Sequence, residues 1–152
     1  MKVQQFLNDK GVWFEPIRHR PTFTAQYTAQ AVHTHGDEVA KTVVLKTNGK
    51  YVLAVLQATH KIDLMRARQV LATQALELAP EQDFKTLFPD CELGALPPFG
   101  SEYGLKTLVD EPLTHDPEIV IEGNTHEEAI RMKYADFERL EHPQVAAFSY
   151  HT

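Results

Sequence analysis

A lysine lies inside a stretch of sequence that otherwise predicts a buried strand. In the segment EVAKTVVLK, Lys41 falls on the same alternating side as Val39, Val43 and Leu45. A lysine in a strand is usually solvated, with its apolar stem lying along the surface. Residues 40, 42 and 44 make the other side apolar as well, so the ammonium group has few routes to solvent. We therefore interpret Lys41 as a pocket cation that could bind a phosphate or a developing oxyanion, with a solvated lysine as the alternative.

The segment GALPPFG belongs to a long irregular stretch, residues 89–104. Loops of this length inside compact domains are usually functional or disordered, and the apolar residues here favour function. Two prolines fix φ and remove two backbone donors, while Gly94 and Gly100 permit close backbone approach. The segment is either a rigid turn or a preformed wall whose backbone groups bind a ligand, with Phe99 as an apolar or stacking surface.

Two histidine-containing segments could also do chemistry. In EGNTHEEA, His126 precedes a predicted strand, where it is either a surface residue or a group that orients water, donates a hydrogen bond or transfers a proton. In HTHG, His33 and His35 have a spacing found in some metal sites, but the sequence defines no third ligand. We therefore expect no metal and no cofactor.

The sequence offers no obvious protein nucleophile. Its two serines, Ser101 and Ser149, lie outside any nucleophile elbow. Cys91 is the single cysteine, has no activating neighbour, and excludes an intrachain disulfide. Any hydrolysis should therefore proceed without a covalent enzyme intermediate.

Composition sets the class of protein. The 152 residues are 43% hydrophobic and 24% charged, which is ordinary for one globular domain. A formal charge of −6 argues against holding long nucleic acid by bulk attraction, although a short contact with one nucleic-acid end stays open. No apolar run approaches the roughly 20 residues of a membrane span, and the first residues are too polar for a signal peptide. With a single cysteine, we expect a cytoplasmic protein without membrane contact.

Hydrophobic periodicity and turn residues predict the elements that must position these groups. The Asn48-Gly49 pair predicts a tight hairpin between two strands. Predicted helices cover residues 3–11, 22–32, 63–72, 80–88 and 135–140. Predicted strands cover residues 12–17, 38–46, 51–56, 75–78, 105–110, 118–123 and 129–134. Strand pairs with interspersed short helices favour an α+β fold over a doubly wound parallel sheet.

Four segments together resemble the YbaK/ProX family of aminoacyl-tRNA deacylases, which also occurs as the editing insertion of bacterial prolyl-tRNA synthetases. They are HRPTFTAQ (residues 19–26), VAKTVVLK (39–46), GALPPFG (94–100) and EGNTHEEAIRM (122–132). Their order and spacing match, and the resemblance covers nearly the whole chain. It implies that residues 1–152 form one editing domain, with a mixed, mostly antiparallel curved sheet and short helices packed around it.

The resemblance implies a free-standing enzyme that hydrolyses the ester joining a wrong amino acid to tRNA. It places the catalytic residues at Lys41, Gly94 and His126. Lys41 would hold the terminal phosphate or the ester, the backbone near Gly94 and Leu96 would hold the carbonyl or α-amino group, and His126 would bound the side-chain pocket. The further candidate substrate-binding residues are His19, Thr22, Leu96, Pro97, Pro98, Phe99, Gly100 and Asn124.

The implied substrates are tRNAs carrying small amino acids such as cysteine, alanine or serine. The expected partner is the acceptor end of the mischarged tRNA, and an aminoacyl-tRNA synthetase is a second candidate partner. Basic residues that could contact phosphates, or form a solvated face, are Lys61, Arg66, Arg68, Arg18, Arg20 and Lys46. Two alternatives stay open: a non-catalytic binding module on the same fold, and a metal-dependent hydrolase built on His33 and His35.

Overall fold

The computed structural model describes residues 1–18 and 38–151. Its helices are α1 (Val3–Asp9), α2 (Leu64–Leu71), α3 (Glu81–Leu87) and α4 (Tyr134–Glu141), with 3-10 turns at Gly100–Tyr103 and Glu111–His115. Its strands are β1 (Phe14–Arg18), β2 (Ala40–Thr47), β3 (Lys50–Gln57), β4 (His60–Ile62), β5 (Glu77–Leu78), β6 (Lys106–Asp110), β7 (Glu118–Glu122), β8 (Glu128–Lys133), β9 (Gln144–Ala146) and β10 (Ser149–His151). The helix predicted over residues 22–32 lies outside the described residues.

The described strands form three sheets. The largest has the order β5-β2-β3-β6-β9, the second has the order β1-β8-β7, and β10 pairs with β4. The β3–β6 and β6–β9 pairs are parallel, whereas β2–β3, β2–β5, β1–β8, β7–β8 and β4–β10 are antiparallel. This mixed, mostly antiparallel arrangement with short helices confirms the predicted α+β class.

The predicted hairpin joins β2 to β3. Asn48 and Gly49 adopt φ values of 51° and 76°, the positive angles that a tight primed turn requires. The register pairs Thr47 with Lys50 and carries through to Lys41 opposite Leu56. The turn thus decides which side of the sheet each β2 residue faces.

The two faces of β2 pack against different parts of the molecule. On one face, Val43 and Leu45 join a core that also contains Ile62 and Phe148. On the other, Ala40 belongs to a core built around Phe99 and α4. We expected both faces of this strand to be buried, and that is wrong in its middle: residues 42–44 are only partly buried, because they line an open pocket.

Three short strands were not predicted from the sequence. Each of β4, β9 and β10 is three residues long, too short for a hydrophobic period to be visible. Tyr134, predicted as the end of a strand, instead begins α4. Within the described part of the chain, no helix is long and apolar enough to cross a membrane.

Candidate functional site

The loop that holds Gly94 is hydrogen-bonded to the turn that holds His126. The Glu92 amide donates to the Asn124 carbonyl at 2.8 Å, and the Asn124 amide donates to the Ala95 carbonyl at 3.2 Å. The His126 amide donates to Glu92 Oε1 at 3.1 Å. Two segments about 30 residues apart in sequence are therefore held side by side, and each contributes one of the three predicted catalytic residues.

Asn124 connects the paired segments to the N-terminal residues of the chain through its side chain. Its backbone has a positive φ of 74°, a conformation that asparagine tolerates better than most residues. Its Oδ1 accepts from the Val3 amide at 2.9 Å, and its Nδ2 donates to the Met1 carbonyl at 2.7 Å and to Cys91 Sγ at 3.3 Å. The side chain thus ties α1 to the site. A contact between this side chain and substrate, as predicted, would require these bonds to be given up.

Gly94 lines an open, largely apolar pocket. The pocket has a volume of about 450 Å³. Its walls come from residues 42–44 of β2, residues 78–81 before and at the start of α3, Phe84, Leu87 and Leu93. Gly94 is exposed and has a φ of 86°, which favours glycine because it has no Cβ. Its backbone groups are accordingly open to a ligand at this edge.

The rest of the GALPPFG segment is buried. Leu96, Pro97 and Pro98 have buried side chains, and Leu96 packs against Phe88 in a small core. Phe99 is completely buried, with its ring centroid 5.0 Å from that of Phe6 and 5.6 Å from that of Phe137. This ring anchors the loop in the core, a different role from the stacking surface that we predicted for a ligand.

Gly100 closes the segment because only glycine fits there. Its amide donates to Thr107 Oγ1 at 3.2 Å, and a Cβ at this position would collide with that same oxygen. Behind it lies the buried carboxylate of Glu141, which accepts from Thr107 Oγ1 at 2.6 Å and from the Ser101 hydroxyl and amide at 2.6 and 3.0 Å. Glu141 was not predicted as a structural residue, because nothing near it in sequence signals a contact with residues 34 and 40 positions away.

Lys41 lies at the start of β2, partly buried and opposite Leu56. Burial lowers its pKa from the usual 10.5, because a desolvated ammonium is less stable, and the nearby charge of Lys61 lowers it further. The pocket beside Gly94 takes residues 42–44 from β2. Lys41 is not one of the residues that line that pocket. Alternation places its side chain on the face of Val43 and Leu45, opposite the face of Val44, which packs with Phe84 and Leu87 of the pocket wall.

The other basic residues proposed as phosphate contacts differ in whether they already bond to protein groups. Lys46 Nζ lies 2.9 Å from Asp83 Oδ2, and this bond raises the pKa of Lys46. Arg66 Nε lies 3.6 Å from the Asp63 carboxylate, and Arg68 donates to the Leu76 carbonyl at 3.4 Å. Arg18 is exposed, with its Nη2 3.9 Å from Glu128, and Lys61 is also exposed.

Some predicted residues fall outside the described ranges. These are His19, Thr22, Arg20, and the His33 and His35 pair of the metal hypothesis. Among residues 1–18 and 38–151, no group of three His, Cys, Asp or Glu side chains is placed to hold a metal ion.

Comparison with known proteins identifies the family. The family model described as the aminoacyl-tRNA editing domain matches residues 19–140. The multifunctional Ser/Thr-tRNA deacylase ProXp-y of Escherichia coli K12 is 27% identical over 148 residues, which are 93% of this chain and 87% of the relative. Proline–tRNA ligase 1 of Bacillus thuringiensis is 25% identical over 79 residues, covering 52% of this chain and 14% of the ligase.

Solved structures give the same fold. A candidate trans-editing enzyme for prolyl-tRNA synthetase superposes with a TM-score of 0.86 at 24% identity, covering 98% of this chain and 95% of the other. Because the family model spans most of the sequence and the fold agrees, the chain belongs to the aminoacyl-tRNA editing domain family and is a hydrolase of the aminoacyl-tRNA deacylase class.

Proposed function

We propose that this protein is a free-standing editing enzyme that releases small amino acids, such as cysteine, alanine or serine, from mischarged tRNA. The observation that carries the proposal is the hydrogen-bonded pairing of the Gly94 loop with the His126 turn. The relative named as a Ser/Thr-tRNA deacylase supports serine and adds threonine as a candidate.

In the proposed mechanism, the Gly94 loop positions the ester. The exposed backbone at Gly94 would bind the carbonyl oxygen or the α-ammonium group, and His126, held by the Glu92 carboxylate, would bound the side-chain pocket. Such groups need no rearrangement as charge develops, which is why fixed donors stabilise a transition state well. The bonds from Glu92, Ala95 and Asn124 supply that rigidity.

Lys41 would supply the positive charge. An ammonium group that is partly desolvated interacts more strongly with an anion than a fully hydrated one does. We assign it the terminal phosphate or the ester oxygen of the acceptor end. A bound anion would also offset the cost that burial and Lys61 impose on the charged form of Lys41.

The reaction itself requires no protein nucleophile. An aminoacyl ester is activated by its α-ammonium group and the vicinal ribose hydroxyl, so the enzyme mainly positions a water, that hydroxyl or the substrate side chain for attack. The acyl C–O bond breaks, giving a free amino acid and a free ribose hydroxyl. The two serines are consistent with this, because Ser101 donates to the buried carboxylate of Glu141, Ser149 donates to that of Asp110, and neither serine lines the pocket beside Gly94.

We further propose that residues 1–152 act as one domain in the cytoplasm, where aminoacyl-tRNA is made and used. The acceptor end of the tRNA would be the part of the substrate held by the protein. A synthetase partner would add tRNA specificity that a chain of net charge −6 cannot supply by bulk attraction.

The test is a panel of tRNAs charged with Cys, Ala, Ser, Thr or Pro, each incubated with and without a chelator. We expect turnover of at least one small amino acid, unaffected by the chelator. Lack of turnover on every substrate would favour a non-catalytic binding module, and loss of activity with the chelator would favour a metal-dependent hydrolase.

A further inference from the structure

Strands β4 and β10 form a two-stranded ribbon that the proposed mechanism leaves unused. In this β4–β10 ribbon (His60–Ile62 and Ser149–His151), Lys61 lies directly opposite Tyr150. Directly opposed residues of an antiparallel pair project their side chains on the same side. Both side chains are exposed, Tyr150 to 50%. The ribbon therefore presents a cation and an aromatic ring next to each other on its outer face.

The inner face of the ribbon is fixed to the protein. Ile62 and Phe148 pack into the core that contains Val43 and Leu45. Asp110, which is completely buried, accepts from the Phe148 amide at 3.0 Å and from the Ser149 hydroxyl. Ser149 Oγ also lies 2.9 Å from His60 Nδ1. These bonds hold the ribbon in one orientation, so the backbone that presents Lys61 and Tyr150 needs little reordering to bind a partner.

The ribbon is also next to the predicted catalytic lysine. Lys41 lies on the face of β2 whose residues Val43 and Leu45 share a core with the ribbon. The charge of Lys61 is close enough to disfavour the ammonium form of Lys41. Two acids of this region are already engaged, since Asp63 caps α2 and pairs with Arg66, and Asp110 accepts hydrogen bonds from Phe148 and Ser149. Two neighbouring ammonium groups of this kind favour a bound anion.

We propose that the β4–β10 ribbon binds the single-stranded 3′ end of the tRNA, with Lys61 on a backbone phosphate and Tyr150 stacked on an unpaired base upstream of the esterified nucleotide. This inference rests on the proposed function and deepens it, since it assigns the surface that brings the ester to Lys41. Proteins commonly bind single-stranded nucleic acid with a cation on the backbone and a neighbouring aromatic ring that stacks on an unpaired base.

A single-stranded end fits better than a duplex. Binding a duplex by charge needs many clustered cations, whereas the chain has a net charge of −6 and Lys46, Arg66 and Arg68 are engaged with protein groups. A contact of one phosphate and one base requires only what the ribbon offers.

The first experiment measures binding of a short fluorescent RNA ending in CCA, a probe that requires no catalysis. We expect Tyr150→Ala to raise the Kd about tenfold, and Tyr150→Phe, which keeps the ring, to bind nearly as the parent does. We expect Lys61→Ala to reduce the slope of log K against log salt by about 0.7, the value for one phosphate of a single strand. Lys106→Ala is the matched control, since this exposed lysine pairs with Val52 near the start of β3, at the opposite end from β4.

The second experiment compares kcat/KM on an aminoacyl-tRNA with kcat/KM on the same amino acid esterified to adenosine, which lacks the upstream nucleotides. We expect Tyr150→Ala to lower the ratio of the two values about tenfold. An equal loss on both substrates would overturn the proposal, because it would indicate a structural effect, and so would unchanged RNA binding in Tyr150→Ala and Lys61→Ala. If the parent protein turned over neither substrate, the proposed function would fail, while the RNA-binding measurement would still decide the role of the ribbon.

Discussion

The two ends of strand β2 carry the same residue type in opposite environments. At the start, Lys41 is partly buried, and both burial and the charge of Lys61 lower its pKa. At the other end, Lys46 bonds to Asp83 and its ammonium lies 5.5 Å from the centre of the Tyr51 ring, and its pKa is raised. The first lysine has an unfavourable setting for its charge and the second a favourable one.

This difference indicates which lysine is available for chemistry. The charge of Lys46 is neutralised within the protein by Asp83. The same carboxylate accepts from the Tyr51 hydroxyl at 2.7 Å, so the three side chains form a local network. A cation whose charged form is disfavoured in the folded protein has an energetic reason to bind an external anion. Ionisable groups whose pKa is shifted by their surroundings are more common at functional sites for this reason. The start of β2 is thus the stronger candidate, in agreement with the resemblance that selected Lys41.

The largest expected effect comes from exchanging each lysine for alanine. We expect Lys41→Ala to lower kcat/KM on mischarged tRNA by about 100- to 1,000-fold, since it would remove the charge that we assign to the terminal phosphate or the ester oxygen. We expect Lys46→Ala to keep most of the activity, because its charge is already paired with Asp83. Deacylation assays on the best substrate of the panel measure both.

Thermal unfolding provides the control for this pair. Lys41→Ala removes a poorly solvated charge and should leave the melting temperature close to that of the parent, so lost activity would not reflect lost folding. Full activity in Lys41→Ala, or an equal loss in Lys46→Ala, would contradict the difference between the two ends.

Two glycines extend the comparison. Gly94, beside the pocket at residues 42–44, has a φ of 86°, and Gly49, in the turn at the far end of β2, has a φ of 76°. Alanine at either position should cost about 1–2 kcal/mol of the free energy of unfolding, since both adopt left-handed angles. Urea denaturation measures this cost.

Gly94→Ala and Gly49→Ala should differ in deacylation activity. We expect Gly94→Ala to lower kcat/KM about tenfold beyond any loss of folded protein, because a displaced backbone positions the ester poorly. Gly49→Ala should keep its activity, since a Cβ there meets no atom within 4 Å and the turn lies away from the loop. Equal activity in the two folded variants would show that the Gly94 backbone does not position substrate.

The local features of the fold were predictable from sequence. The Asn-Gly pair predicted the hairpin and hence the register that faces Lys41 and Lys46 to opposite sides of the sheet. Helices α2, α3 and α4 were each predicted to within one residue of their observed ends. Such features depend on residues within a few positions of each other, which a single sequence displays directly.

The features that support the candidate site depend on distant residues. Asn124 bonds to the Val3 amide 121 positions away, and Glu141 accepts from the Ser101 amide 40 positions away. Nothing local distinguishes these side chains from surface residues. Phe99 was misjudged for the same reason, because its burial against Phe6 and Phe137 depends on how two helices pack around the loop.

The smallest expected effect is a change in the titration of Lys41. We expect Lys61→Gln to raise the pKa of Lys41, because it removes a neighbouring positive charge, while burial still keeps that pKa below 10.5. Lys50→Gln, at the exposed first position of β3 and the far end of the hairpin, should leave the titration unchanged. NMR titration of lysine side chains labelled at Cε measures the midpoint in each variant.

The sign of the accompanying stability change follows from proton binding. Below its folded pKa, Lys41 is protonated in both the folded and unfolded chains, and the cost of burying its charge is fully present. As pH rises from that pKa towards 10.5, the folded protein loses the proton first, so the contribution of Lys41 to the free energy of unfolding increases. Because Lys61→Gln raises the folded pKa of Lys41, it should narrow the pH range over which this increase occurs by moving the lower limit of that range upward. A midpoint for Lys41 at or above that of Lys46 would remove the electrostatic distinction between the two ends of β2, and with it the reason for expecting an anion at Lys41.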